Sequence, residues 1–215
     1  MQGYDTYIEG DSHKDMWQEY VRRVNNGPEG RDGEEAIREL FWVKLCFKPG
    51  TDFITIHPAM NQLVRHQYVR KVLTTDLDPA LGGSYGYRLR RSYGLDQLDE
   101  LVHRLVTKPE SKAACANLLH PVSSAIERDA GMQRMACLTN VQALIRQGAL
   151  HLNAHFRSQN AWNSHGNFQG LHELHSSLLT QLLEHDVHLE LGALVVTIVA
   201  AHLYEQDFPK ATALS

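Results

Sequence analysis

Cysteine is scarce: three residues in 215, Cys46, Cys115 and Cys137, with no C-x-x-C pair. An odd, sparse set excludes a disulfide framework and argues against a structural zinc site. Reduced thiols in a cytosol-like compartment are expected. Basic charge gives no surplus either, with 21 Lys and Arg against 25 Asp and Glu and a formal net charge of -4. Nothing in that balance draws the chain to nucleic acid, and no like-charge run forms a tail. Long apolar runs are absent too. The longest, Leu189 to Leu203, is broken by Glu190, Gly192, Thr197 and His202, too short and too polar for a bilayer. The N-terminal stretch is polar and acidic, unlike a signal peptide. A cytoplasmic protein with no membrane or nucleic-acid partner is the expectation.

What is present is a core-forming composition, 43% hydrophobic and 21% charged, which at this length favours one domain over residues 1–215. Histidine is abundant, 13 in all, eight of them between His151 and His202. His172 and His175 stand at i, i+3 without an H-E-x-x-H carboxylate pattern, so structural histidines are favoured over a metal site.

Hydrophobic spacing predicts an amphipathic helix over 13–26, carrying Met16, Trp17, Tyr20, Val21 and Val24. Asn25 to Gly30 reads as a turn, and Leu40 to Phe47 as a buried strand. Leu81 to Gly86 reads as a glycine-rich turn. A helix follows with Leu95, Leu98, Leu101, Val102 and Leu105, stopping near Lys108-Pro109. Leu138 to Ile145 and Ala149 to Phe156 read as strands joined at Gln147-Gly148. Phe168 to Leu183 reads as a strong helix, and Leu191 to Leu203 as a long apolar segment of either type. The mixture is α+β, a mixed sheet packed with helices.

Several short motifs occur in a fixed order. They are Ser84-Tyr85-Gly86-Tyr87-Arg88, Gly94-Leu95-Asp96-Gln97-Leu98, Lys108-Pro109-Glu110-Ser111-Lys112, Met135-Ala136-Cys137-Leu138, His155-Phe156-Arg157-Ser158-Gln159-Asn160, Asn167-Phe168-Gln169-Gly170-Leu171 and Ala200-Ala201-His202-Leu203-Tyr204. Together, over roughly residues 80–208, they resemble the thymidylate synthase family, in the short form of archaea and some phages. The resemblance implies a sheet-to-sheet homodimer that uses 5,10-methylenetetrahydrofolate as co-substrate. The one-carbon unit would go to C5 of a pyrimidine deoxynucleotide monophosphate.

C5 of uracil is a poor nucleophile until a thiolate adds at C6. Cys137 is the candidate thiolate, and because a free thiol ionises only near pH ~8.5, a neighbouring cation has to favour its ionised form. Arg157 suits that task and, with Ser158, suits a phosphate. The resemblance makes Arg31 a second phosphate ligand. It makes Lys112 a residue reaching into the neighbouring subunit's site. Asn167 donates and accepts at once, matching the N3–H and O4 edge of uracil. His202 and Tyr204 would meet the sugar hydroxyl. Tyr85, from the first motif, joins Cys137 and Glu39 in the implied catalytic set.

Four departures stand out. Ala136 replaces the proline before the nucleophile, and Ala113 the second arginine of the pair. Asn160 replaces the aspartate that helps hold the folate pterin. The family's catalytic glutamate lies in an E-L-L-W helix, whose letters Glu39-Leu40-Phe41-Trp42 copy, although the same segment reads as a strand with Glu39 at its start. The chain ends at Ser215, soon after Tyr204, so a folate lid is expected to be missing or supplied otherwise. Lids keep water from reactive intermediates. These features favour 5-hydroxymethyl-dUMP over dTMP. A retired nucleotide-binding homodimer is the further alternative.

Overall fold

The computed structural model describes residues 4–78, 84–119 and 135–214. Among them seven strands form one mixed sheet: β1 (Tyr4–Ser12), β2 (Glu29–Asp32), β3 (Glu35–Asp52), β4 (Cys115–Asn117), β5 (Leu138–Arg146), β6 (Ala149–Asn160) and β7 (Glu190–Tyr204). Their order is β1-β3-β7-β6-β5-β4, with β2 paired to β3. The helices are α1 (His13–Asn25), α2 (Gln62–Leu73), α3 (Tyr85–Arg90), α4 (Gln97–Thr107), α5 (Ser164–Glu184) and α6 (Phe208–Thr212).

Register explains the layering. Ile8, Leu45, Val196, Ala154 and Val141 pair across five strands, and all are buried. The adjacent row, Tyr7, Lys44, Thr197, His155 and Asn140, runs from half-buried to exposed. Since successive strand residues point to opposite sides, one face is covered by helices and the other is open in the single chain. Helix α1 covers it with Met16, Trp17, Tyr20, Val21 and Val24, and α5 with Phe168, Leu171, Leu174, Leu178 and Leu182. His175 Nε2 meets the Leu150 carbonyl at 2.8 Å, tying α5 to β6.

The alternation breaks at one place on three neighbouring strands. Phe156, Ile198 and Val43 form one buried row, and the next is Gln159, Ala201 and Leu40, three residues on rather than two. Trp42, inside that interval on β3, has φ 51°, a left-handed value that a bulky side chain adopts only under constraint. The break falls at one level on β3, β7 and β6, and Trp42 marks it on β3. It turns Ser158, Asn160, His202 and Glu39 away from the side that Gln159 occupies.

The predicted hairpin forms at Gln147 and Gly148, whose φ values of 53° and 74° suit a tight two-residue loop. The segment of open type is β7, where Val195, Val196, Thr197, Ile198 and Val199 supply β-branched residues to a strand flanked on both sides. Residues 81–83 of the glycine-rich stretch lie outside the described residues. Ser84 caps α3, its Oγ accepting the Tyr87 N–H at 3.0 Å, so Tyr85 and Gly86 are helical rather than part of a turn. A Cβ on Gly86 would lie 2.2 Å from the Thr74 carbonyl oxygen, so only glycine lets α3 press against the end of α2. The sequence pattern gives no sign of β1 or α2.

Candidate active site

Cys137 immediately precedes β5 and is half-buried. The Ser158 hydroxyl donates to its sulfur at 3.7 Å. Its carbonyl accepts the Arg157 backbone N–H at 2.9 Å. The Arg157 guanidinium donates from Nε to the Ala136 carbonyl (2.9 Å) and from Nη2 to the Met135 carbonyl (3.0 Å). Arg157 therefore holds the approach to the thiol with two of its five N–H donors. These bonds fix Met135 and Ala136 in front of the thiol.

Two tyrosines, Tyr85 buried and Tyr68 half-buried, lie near the thiol. Tyr85 reaches the Leu138 backbone, which acts on its hydroxyl. Burial, then the nearby Cys137, raises that hydroxyl well above its ordinary value. Tyr68, on α2, is raised in the same direction, by burial first and Cys137 second. A Cβ on Gly166 would lie 2.9 Å from the Tyr68 side chain, so the start of α5 sits directly against this ring. Nothing in the residue pattern singles out Tyr68, because the α2 sequence carries Arg65, His66, Arg70 and Lys71 around the helix and has no clear apolar stripe.

Asn160, His202 and Glu39 share one row across β6, β7 and β3. His202 lies beside Tyr204, ring centroids 5.0 Å apart, and the Tyr204 hydroxyl donates to Asp32 at 2.9 Å. Burial holds His202 below the ordinary imidazole range, against the opposing pull of the Ala200 backbone and the Asp32 charge. Arg31 is next to Asp32 on β2, exposed, and donates to the Glu34 carbonyl at 3.5 Å. It lines a surface groove of about 610 Å³ with Arg38, Glu205 and Phe208. Asn160 accepts the Asn163 N–H at 3.2 Å, closing the turn into α5.

Glu39 lies on a strand, as its spacing predicts. The letters Glu39-Leu40-Phe41-Trp42 lie in β3, not in a helix, because alternating burial and pairing to β7 determine this segment. Three inter-strand steps separate β3 from β5, about 14 Å at ~4.8 Å per step, which sets Glu39 beside His202 rather than beside Cys137. Helix α2 carries no Asp or Glu at all.

Asn167 lies in the first turn of α5 and is buried. Its Oδ1, and both polar atoms of Gln159, have no hydrogen-bond partner among the described residues. Buried amides are almost always paired, so these atoms call for a partner other than a described residue, water or a ligand. Gln159, between Ser158 and Asn160, was passed over in the sequence because its neighbours carry the motif. Lys112 stands apart. It is exposed, and its carbonyl accepts from Gln142, five residues along β5 from Cys137, about 17 Å away at ~3.4 Å per residue. Among the described residues no group of three or more His, Cys, Asp or Glu is poised to hold a metal. No helix there is long and apolar enough to cross a membrane.

The family model for thymidylate synthase matches residues 9–214. The chain belongs to the thymidylate synthase family. A Methanosarcina barkeri relative, for which thymidylate synthase is a provisional name, is 26% identical over 202 residues, covering 90% of this chain and 87% of its own. The thymidylate synthase of Bacillus mojavensis is 25% identical over 177 residues, 79% of this chain and 56% of that one. The chain thus spans just over half of the length of that longer relative. Among solved structures, thermostable thymidylate synthase A from Bacillus subtilis superposes with a TM-score of 0.70 at 16% identity, over 94% of this chain and 83% of that chain. That likeness confirms the α+β fold.

Proposed function

We propose that this thymidylate synthase-family enzyme transfers a one-carbon unit from 5,10-methylenetetrahydrofolate to C5 of dUMP, with Cys137 as the nucleophile at C6. The observation that carries the reading is the joint placement of Cys137, Ser158 and Arg157 at one edge of β5 and β6. The thiolate adds at C6 and places enolate character on C5. C5 then attacks the one-carbon unit and loses its proton, the bond from that carbon to the folate nitrogen breaks and frees tetrahydrofolate, and water adds to the exposed methylene, giving up a proton, as the C6–sulfur bond breaks, which restores the ring and releases the thiolate. Ser158 holds the sulfur, and it and the remaining Arg157 donors serve the phosphate. The unpaired Asn167 Oδ1 suits the N3–H of uracil, and its amide N–H the O4. His202 and Tyr204 serve the sugar, Arg31 the phosphate from the β2 side. Glu39 orders water beside His202, and Tyr85 contributes its hydroxyl near the thiol.

The folate co-substrate fits beside Asn160, where the chain turns into α5. When bound, it supplies the carbon at the oxidation level of formaldehyde. Asn160 is neutral and already accepts the Asn163 N–H. A neutral amide there holds the pterin less firmly than a carboxylate. Hydride transfer needs tight orientation, whereas water needs only access. We therefore place 5-hydroxymethyl-dUMP ahead of dTMP. The open sheet face, with Trp42 and Tyr7 exposed on β3 and β1, is the proposed homodimer surface, across which Lys112 would serve the partner's site.

The test is to incubate the protein with dUMP and methylenetetrahydrofolate, weigh the nucleotide product, and follow dihydrofolate by absorbance. Hydroxymethyl-dUMP without dihydrofolate supports the full reading. Stoichiometric dihydrofolate with dTMP keeps the reaction class and overturns the product assignment.

A further inference from the structure

The two strands that meet at the thiol do not pair evenly. Away from it, Asn140 stands opposite His155, Val141 opposite Ala154 and Ala143 opposite Leu152. Continued toward the thiol, that register would set Leu138 against Arg157 and Cys137 against Ser158. Instead Leu138 pairs with Phe156, both fully buried, and the Cys137 carbonyl accepts the Arg157 N–H at 2.9 Å. Thr139 is the extra residue of β5 that makes up the difference, a β-bulge two positions after Cys137.

Thr139 is tied on both flanks. Its carbonyl accepts the Leu118 N–H at 2.9 Å. Its Oγ1 lies 2.9 Å from the His155 carbonyl and 2.8 Å from His155 Nδ1. A hydroxyl has one proton and a carbonyl only accepts, so Oγ1 donates to the carbonyl and His155 donates from Nδ1. Asn140, the next residue, holds β5 to β4, its Nδ2 donating to the Ala116 carbonyl at 3.1 Å and to Asn117 Oδ1 at 2.9 Å. These bonds fix the bulge in place. Its place matters because the side-chain period of a strand is two: a slip of one residue would turn Leu138 out of the core and Cys137 to the other face.

We infer that Thr139 is a positioning residue for the reaction: with His155 it locks the bulge that keeps Cys137 in register with Arg157 and within reach of the Ser158 hydroxyl. The inference rests on Cys137 being the nucleophile proposed above. Thr139 acts through the strand and needs no contact with substrate. Bulges beside active sites commonly aim a side chain in this way.

The readout is the initial rate of tritium release from 5-tritiated dUMP with methylenetetrahydrofolate, alongside dUMP affinity by calorimetry and the urea midpoint. Thr139→Val keeps the branched shape and strand preference and removes both bonds to His155. It should lower kcat by about tenfold or more, because a displacement of about 1 Å at a reacting atom is costly, and leave dUMP affinity within about threefold. Thr139→Ser, which keeps the hydroxyl, should return kcat to within about threefold of the unaltered protein. A hydroxyl that served stability alone would lower the urea midpoint of Thr139→Val and leave the kcat of the folded protein unchanged, and that result overturns the inference. If Thr139→Val folds poorly, His155→Leu removes the ring donor instead and should lower kcat by about threefold or more. An unchanged kcat there overturns the inference as well. Cys137→Ser separates the two levels. Turnover in that variant removes the reaction reading and this inference with it, whereas an inactive Cys137→Ser beside a fully active Thr139→Val removes this inference alone.

Discussion

The Ser158 hydroxyl donates to the Cys137 sulfur across 3.7 Å, joining two residues twenty-one positions apart at the point where β5 meets β6. Its donor helps hold a negative sulfur, and the neighbouring Arg157 bonds prevent the loop from turning the thiol away.

Cys137→Ser should abolish turnover while leaving nucleotide affinity within about tenfold, because the thiolate serves chemistry more than binding. Ser158→Ala should retain the fold and lower kcat/KM by about tenfold or more, the loss of one hydrogen bond to a charged group. Cys46→Ser and Cys115→Ser should stay active. Steady-state kinetics with calorimetric nucleotide binding checks all four, and near-normal activity in Cys137→Ser would remove the assignment.

Asn167→Asp should shift preference from uracil toward cytosine nucleotides. The buried Oδ1 has no partner among the described residues, so its role is free to be set by the ligand. An ionised carboxylate cannot donate to O4, and the mismatch costs about 1–3 kcal/mol in a buried site. Competition between dUMP and dCMP reads this directly. Unchanged affinities for both would show that Asn167 does not read the base.

Acid should destabilise the fold through its buried histidines. Burial is the largest cause in each case and holds His13 at about 3, His165 at about 4 and His175 at about 4. Between the unfolded value near 6.5 and these folded values, the unfolded chain binds protons that the native state refuses. Stability is therefore complete above about 6.5 and falls as pH drops toward 4, by up to about 1.4 kcal/mol per histidine per pH unit. Urea midpoints at neutral and mildly acid pH measure it. His13→Phe should flatten the acid side of the curve. An acid slope unchanged in that variant would place the sensitivity elsewhere.

How far the sequence reveals this arrangement depends on the kind of signal. Helix α1, the β5–β6 hairpin and α5 follow from hydrophobic period and turn chemistry, which are local. Motif order nominated Cys137, Arg157, Ser158 and Asn167 as candidates, although spacing alone does not show that Arg157 clamps the carbonyls before the thiol. Helix α2 was not legible. Its docking rests on Gly166 and Gly170, a hundred residues away, and its own cations obscure the apolar stripe. Tyr68, on that helix, was not singled out either. At Glu39 two local signals competed, four letters like the family's helix and a strand-like apolar run, and the pairing of β3 with β7, a long-range interaction, decided for the strand.

The central claim is that Cys137 activates C5, and the most direct measurement is release of tritium from 5-tritiated dUMP in the presence of methylenetetrahydrofolate. Loss of the C5 hydrogen is common to the methyl and hydroxymethyl products, so the readout does not depend on which forms. The account predicts folate-dependent release to water by the unaltered protein and only background release by Cys137→Ser that still binds dUMP. Release at the same rate from both proteins, or none from an unaltered protein that binds dUMP and folate, would contradict it.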